Sequence, residues 1–351
     1  MQSTSNTIPT LSVILPSYNA IFFLENSITS ILNQTFSDFE LILIDNASSD
    51  GSDQLLRHFK DPRIRLIINE SNIGYTRSLN KGLALARGRY VARMDADDFS
   101  LKTRFEKQIQ FLESNPDYGI VGCSYHVIDA KGSLIGTQRM PKSDLEIRWK
   151  NLLLCPFCHP SVMIRKSILD THQLTFDVTK EPAEDYDLWS KIIDHSLGYN
   201  LPEKLFHYRI HGNNESTLRA QEQERQIECI SLQHIQHSFP SLLITPQMIH
   251  KLRPLLTFDQ GQKKPLHPDM IRENLPLYLR LWKLFIKKYP KASKNKMIEE
   301  QTFKDLLILF HPSLRKTASI KVLLQLFFTF PRSFLSSAIH SFFQKNKRFS
   351  D

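Results

Sequence analysis

Short apolar runs early in the chain each break into a polar, turn-forming segment, and helical periodicity fills the gaps between them. LSVIL (11–15) gives way to PSYN, ELILI (40–44) to DNASSDGS, and RYVARM (89–94) to DADD; RIRLII (63–68) is a further run. Runs this short, apolar and partly β-branched suit strands buried on both faces. Between them Leu24, Ile28, Ile31 and Leu32, then Leu55, Leu56 and Phe59, then Leu79, Leu83 and Ala86 recur at helical spacing. Strand–helix alternation through short connections predicts a Rossmann-like, mostly parallel sheet flanked by helices, with right-handed crossovers. Ligands of such sheets bind beyond the carboxyl ends of the strands. The segments PSYN, DNASSDGS and DADD should therefore gather on one edge.

Further along, Phe105, Ile109 and Leu112 mark an amphipathic helix, and GIVGCSYHVID (119–129) reads as a strand with a turn at Lys131-Gly132. HPSVMIRK (159–166) predicts another strand. EPAEDYDLWSKIIDH (181–195) predicts a helix with Leu188, Ile192 and Ile193 inward, and LFHYRIHGNNES (205–216) a strand running into a loop. From about 217 the pattern is helical. The expected organisation is an α/β body over 10–216 and a helical C-terminal extension over 217–351.

The 351 residues, 41% hydrophobic and 23% charged, are enough for a sizeable core and exclude a disordered chain. Cys155 and Cys158 have C-x-x-C spacing but no second pair follows. A structural zinc site usually needs four ligands, so the four cysteines read as packed thiols of a reducing compartment. MQSTSNTIPT has neither a basic nor an apolar stretch of the kind a secretory signal carries. The formal charge of +9 and pI near 9.3 suit phosphate-bearing partners. Nucleic acid is not expected, because the basic residues form no helical stripe with base-reading motifs. The excess concentrates after Arg315, where VLLQLFF (322–328) and FLSSAIHSFF (334–343) are interleaved with Lys and Arg. Pro331 and Arg332 leave that run too short for a membrane-spanning helix. The segment 315–351 reads either as an amphipathic tail on an anionic membrane surface or as a helical pair packed on the body.

Chemistry concentrates in a few carboxylates and one histidine. Asp95, Asp97 and Asp98 end a buried run, and carboxylates spaced D-x-D can share a cavity that takes Mg²⁺ or Mn²⁺ with phosphate oxygens. The alternative is a solvated acidic turn. Asp45, at another strand end, can accept a nucleobase N–H or simply shape a turn. Glu184-Asp185 opens a helix, where acids gain roughly 0.3–1 kcal/mol from the dipole, or where one of them acts as a general base. His211 is a usable metal ligand. His159 and His207 read as structural or exposed.

In combination these segments, LSVILPSYN, LILIDNASSDGS, NIGYTRSLNKGLALARGRYVARMDADD, HPSVMIRK, EDYDLW and YRIHGNNES, resemble glycosyltransferase family 2 in order and spacing across about 10–216. The match is to its bacterial branch that builds cell-surface polysaccharides. The resemblance implies the GT-A nucleotide-diphospho-sugar transferase fold and an inverting transfer from a nucleotide-sugar donor, UDP- or dTDP-linked, to a glycan or lipid-linked acceptor. It implies that Pro16, Ser17 and Tyr18 line the nucleotide pocket, that Asp45 holds the base, and that Arg77 and Asn80 border the nucleotide. It implies Asp95 on the ribose or a metal-bound water, Asp97 on the metal, His211 completing the metal shell, and Asp185 of the Glu184-Asp185 pair as the base. Asp98 then reads as a loop or helix-capping acid. A cytoplasmic location is expected, peripheral on the cytoplasmic face of the inner membrane if the tail 315–351 lies on that surface rather than on the body.

Two positions depart from the family's pattern. Asp45-Asn46-Ala47-Ser48 replaces the usual D-D-G-S, and Leu79-Asn80 stands where many relatives have R-N, so that arginine's phosphate contact would fall to Arg77 or Arg93. The competing readings are a sugar nucleotidyltransferase, which should carry a glycine-rich loop where PSYN stands, and a non-enzymatic basic membrane-binding protein.

Overall fold

The computed structural model of the protein describes residues 8–253 and 268–291. The chain opens with β1 (Leu11–Ser17), α1 (Ile21–Leu32), β2 (Phe39–Asp45), α2 (Ser52–His58), β3 (Ile64–Ile68), α3 (Tyr75–Leu85) and β4 (Tyr90–Arg93). It continues through β5 (Phe99–Ser100), α4 (Arg104–Ser114), β6 (Tyr118–Ile128), β7 (Leu134–Gln138) and α5 (Asp144–Lys150). A 3₁₀ turn at His159–Ser161 precedes β8 (Met163–Arg165) and α6 (Lys166–His172); another at Val178–Lys180 precedes α7 (Glu184–His195) and β9 (Leu197–Arg209). Helices α8 (Glu215–Leu218), α9 (Ala220–Ser238), α10 (Pro246–Leu252) and α11 (Pro268–Lys288) follow.

The strands form one mixed sheet in the order β3-β2-β1-β4-β8-β6-β9-β5, with β7 on β6. The expected parallel core is present: β1 lies between β2 and β4, both parallel to it, and β2 pairs parallel with β3. All seven residues of β1 and of β2 are buried, as continuous apolar runs require. The period of two then splits them between faces. Leu11, Val13 and Leu15 pack with Leu24, Ile28 and Ile31 of α1 and Phe105, Ile109 and Leu112 of α4. Ile14, Ile42 and Ile44 pack on the other face with Leu79 of α3 and Leu188, Trp189 and Ile192 of α7. Helix α3 approaches β1 so closely that a Cβ on Gly82 would stand 2.4 Å from Ile14 Cγ2.

The later half differs from the sequence expectation in detail. HPSVMIRK is a 3₁₀ turn followed by a three-residue strand, because Pro160 brings no N–H to a ladder. The strand expected from 205 already starts at Leu197, since it pairs in parallel with β6 from Tyr118↔Leu197 onward, with register shifts that absorb Pro202. Helix α5 is an addition, set by a capping box in which Ser143 accepts from Glu146 N and Glu146 Oε2 accepts from Ser143 N.

Two compact units divide the chain between Ile230 and Ser231, with Leu152–Leu154 grouped with the second. The first unit runs past residue 216 because α9 brings Ile230 against Ala183 and Tyr186. In the second, Thr245 caps α10 by accepting from Met248 N, and buried Ile249 and Leu252 of α10 accompany Leu275, Tyr278, Trp282 and Phe285 of α11. Among the described residues no helix is long and apolar enough to cross a membrane. The basic tail 315–351 lies outside the described residues.

Candidate active site

The polar segments after β1, β2 and β4 do share one edge of the sheet. Ser17 stands opposite Asp45 in the parallel register, and Met94, just beyond β4, donates its N–H to Ile14 O. The first two loops are laced together. Asn19 N donates to Ser48 Oγ, Ala20 N to Ser52 Oγ and Ile21 N to Asp50 Oδ2, each at 3.0 Å. In return Asn19, held at φ +49°, accepts from Ser49 N. Helix α1 has no capping side chain of its own, so its first N–H groups are satisfied from the neighbouring loop. Burial works against the charge of Asp50, but hydrogen bonds from Ser52 and Ile21 hold its carboxyl below the usual value.

Asp45 is fully buried. Its Oδ2 accepts from Ser48 N at 3.1 Å, while Oδ1 has no hydrogen-bond partner among the described residues. The Ser17 hydroxyl beside it is likewise buried and unpartnered. Two orphan polar atoms at adjoining strand ends are costly unless a ligand supplies the missing bonds. Asn46, standing where an acid was expected, donates from Nδ2 to Asn72 and accepts at Oδ1 from Asn69 and Ile73 N. An ionised carboxylate only accepts, so the amide suits this junction better. Pro16 is buried and Tyr18 is exposed. Arg77 is exposed on α3, with Nη1 donating to Ile73 O at 3.3 Å. Asn80 is engaged at both amide atoms by the backbone of Phe176, at 2.8 and 2.9 Å.

The three aspartates after β4 have three environments. Asp95 Oδ1 accepts from Arg93 Nη2 at 2.6 Å and from the Tyr75 hydroxyl at 2.7 Å, and Arg93 also donates to that hydroxyl. Burial opposes the charge of Asp95, yet Arg93 and the Tyr75 hydrogen bond keep its carboxyl below the usual range. Arg93 itself is 1% exposed and committed to Asp95. Asp97 is 26% exposed; its Oδ2 accepts from His211 Nε2 at 2.9 Å and from Asn214 Nδ2 at 3.2 Å. Asp98 lies in the loop between β4 and β5, as the sequence allowed, but it caps no helix and is not solvated. It is buried, its Oδ1 accepts from Arg209 N at 2.7 Å, and burial together with Asp97 pushes its carboxyl well up. Pairing of Phe99 with His207 in β9 draws it inside. Beneath this loop the buried Arg104 donates to Arg93 O at 2.9 Å, and burial lowers its guanidinium to about 10.

Asp97 and His211 therefore meet from segments far apart in sequence, the end of β4 and the end of β9. Carboxylate and imidazole suit Mg²⁺ or Mn²⁺ when phosphate oxygens and waters supply the remaining ligands. The described residues hold no cluster of three or more His, Cys, Asp or Glu for a metal, so this is a two-ligand arrangement. Asn213 N donates to His211 Nδ1 at 3.2 Å, which places the ring proton on Nε2. A metal on Nε2 would move that proton to Nδ1 and release Asn213.

The N-terminus of α7 forms another wall. Glu184 is 3% exposed, and burial followed by the charge of Asp185 pushes its carboxyl up to about 8. Asp185 moves the other way: burial would raise it, but His159 and the Tyr186 N–H, 2.7 Å from Oδ1, hold it below the usual range. His159 Nδ1 stands 3.4 Å from Asp185 Oδ2. Paired groups whose environments drive them apart divide the acid and base roles. From the sequence His159 reads as structural or exposed, and Tyr75, Arg209 and Asn214 do not stand out. Only Asn214, inside HGNN beside His211, carried a local signal.

The family profile "Glycosyl transferase family 2" matches residues 12–172, which spans β1 to α6. An uncharacterized glycosyltransferase of Haemophilus influenzae is 33% identical over 258 residues, covering 70% of this chain and 79% of its own. The O-antigen biosynthesis glycosyltransferase WbnJ of Escherichia coli is 34% identical over 222 residues, covering 60% and 82%. The crystal structure of S. aureus TarS 1-349 in complex with UDP-GlcNAc aligns with a TM-score of 0.55 at 16% identity, over 89% of this chain and 93% of that one. That last likeness establishes the GT-A architecture, which carries the mixed sheet and helical C-terminal part seen here. The readings as a nucleotidyltransferase or as a non-enzymatic binding protein fall away, and the chain belongs to glycosyl transferase family 2.

Proposed function

We propose that the protein is an inverting glycosyltransferase acting in cell-surface polysaccharide synthesis. It moves a sugar from a UDP- or dTDP-linked donor to a hydroxyl of a glycan or lipid-linked acceptor. The observation that carries this reading is the buried, unpartnered Asp45 Oδ1 on the edge where the loops of β1 and β4 also end. The name of the E. coli relative and the UDP-GlcNAc bound by the TarS structure point the same way.

In this reading Asp45 Oδ1 accepts the ring N–H of the base, with Ser17 and Tyr18 beside it. Asp97 and His211 hold Mg²⁺ or Mn²⁺, which when bound offsets the charge that develops on the leaving diphosphate. Asp95, fixed by Arg93 and Tyr75, orients the ribose. Asp185, ionised because His159 favours its charge, takes the proton from the acceptor hydroxyl. Glu184 stays protonated near neutral pH and spares Asp185 a second negative neighbour. Asn80 supports the site through Phe176 rather than by touching the donor. The acceptor oxygen attacks the anomeric carbon opposite the departing nucleoside diphosphate, so one displacement inverts its configuration.

The test incubates the protein with UDP-, dTDP- and GDP-sugars, Mg²⁺ or Mn²⁺, and simple glycoside acceptors. Expected products are a nucleoside diphosphate and an inverted glycoside by NMR. Asp97→Ala and Asp185→Asn should each lower turnover by about 10²-fold or more while remaining folded. Near-wild-type turnover in both variants refutes the assignment.

A further inference from the structure

We propose that His159 is a positioning residue for the base: its Nδ1–H holds Asp185 Oδ2, and the two side chains act as an Asp–His dyad. The inference rests on the transfer reaction proposed above.

The geometry is that of a ring held on every side. The imidazole lies nearly parallel to Phe176, with centroids 5.8 Å apart and planes 20° apart, and edge-on to Trp189 at 5.8 Å and to Tyr75 at 6.1 Å. A backbone turn fixes its base, because His159 opens the 3₁₀ turn that Pro160 stiffens. Nδ1 faces Asp185 Oδ2 at 3.4 Å, an ion-pair contact just beyond hydrogen-bond range that a small shift on substrate binding would close, as base contacts are often long before substrate binds. Nε2 is buried and has no partner among the described residues. A ring with one nitrogen against a carboxylate and the other without a partner favours the Nδ1–H tautomer. Aromatic walls prevent the ring from turning away, so they fix the carboxylate as well.

The titratable groups around the pair make this contact matter. Asp185 is faced by Glu184 on its own helix, by Cys155 Sγ at 3.8 Å and by Arg93 from β4. His159 is faced by Asp185 and by the edge of Tyr75, whose hydroxyl engages Asp95 and Arg93. His159 is the group that favours the ionised base most strongly, ahead of the Tyr186 N–H and Arg93. It also bridges in space the donor-side carboxylate Asp95 and the acceptor-side carboxylate Asp185, through the Tyr75 ring.

Two readouts test the dyad. In ¹⁵N-labelled protein, long-range ¹H–¹⁵N correlation should show His159 protonated on Nδ1, with that bias lost in Asp185→Asn. An Nε2–H tautomer in the wild type overturns the proposal. The second readout is the pH profile of donor turnover, followed as nucleoside diphosphate released. His159→Leu removes the donor, so the acidic limb should move up by about one pH unit or more. The loss should approach about tenfold on the acidic limb itself and vanish towards neutral and alkaline pH. His159→Asn can donate from close to the Nδ1 position and should restore the limb, whereas His159→Gln should not. A loss equal at every pH, or equal in all three variants, overturns the dyad. A wild-type chain that turns over none of the donors refutes the transfer reading instead, and the tautomer measurement still decides the dyad.

Discussion

Replacing Glu184 by glutamine should stabilise the protein, and only above a defined pH. The wild-type carboxyl is pushed up to about 8 from an ordinary value near 4.5, chiefly by burial. Each unit of displacement is worth about 1.4 kcal/mol, so forming the charge in the fold costs on the order of 5 kcal/mol, of which about 4 is felt by pH 8 where the group is half ionised. The sign follows from proton binding. Between about pH 4.5 and 8 the folded state holds a proton that the unfolded state has released, so wild-type stability falls as pH rises through that window. Below it both states are protonated and the term vanishes; above it the term is constant. Glutamine has the shape of the neutral acid and cannot ionise. Glu184→Gln and wild type should therefore match near pH 4.5 and diverge to about 4 kcal/mol by pH 8. Asp185, displaced downward, acts only below about pH 4 and cancels in the difference. Urea unfolding across pH 4.5–9, followed by the fluorescence of Trp149 and Trp189 in the first unit, measures the gap. Parallel curves, or a variant less stable at pH 8, refute the reasoning.

Other expectations follow from single contacts. Asp45→Ala deletes the acceptor offered to the base and should weaken UDP binding by about tenfold or more in calorimetry. Gly82→Ala drives a Cβ into Ile14 and should cost about 1–3 kcal/mol in urea unfolding, despite alanine's better helix propensity. Ser143→Ala breaks the capping box of α5 and should cost about 1 kcal/mol in the same assay.

The parallel core was readable because β1 to β4 are continuous apolar runs with polar ends, and the order of those ends already placed them on one edge. The late strands were harder. β9 is interrupted by Pro202 and is held by pairing with β6, which no local pattern announces. Helix α5 was legible in principle, since S-x-x-E is written in Ser143–Glu146, but its apolar period is short. Within the site, residues whose type names their chemistry stood out: the aspartates, Glu184-Asp185 and His211. Those whose meaning comes from a distant neighbour did not. His159 matters because α7 brings Asp185 to it, and Arg93 because Tyr75 and Asp95 absorb its charge. Asp98 read only as a loop or capping acid, because its burial depends on the β5–β9 pairing that encloses it.

The lacing of the β1 and β2 loops has a consequence for how this chain can vary. Ser48, Asp50 and Ser52 serve the first turn of α1 rather than only their own turn. A change at any of them leaves an N–H 29–32 residues upstream without its partner. The two loops are thus one hydrogen-bonded piece: exchange of Pro16–Ala20 for another sequence should succeed only if Ser48–Ser52 is exchanged to match.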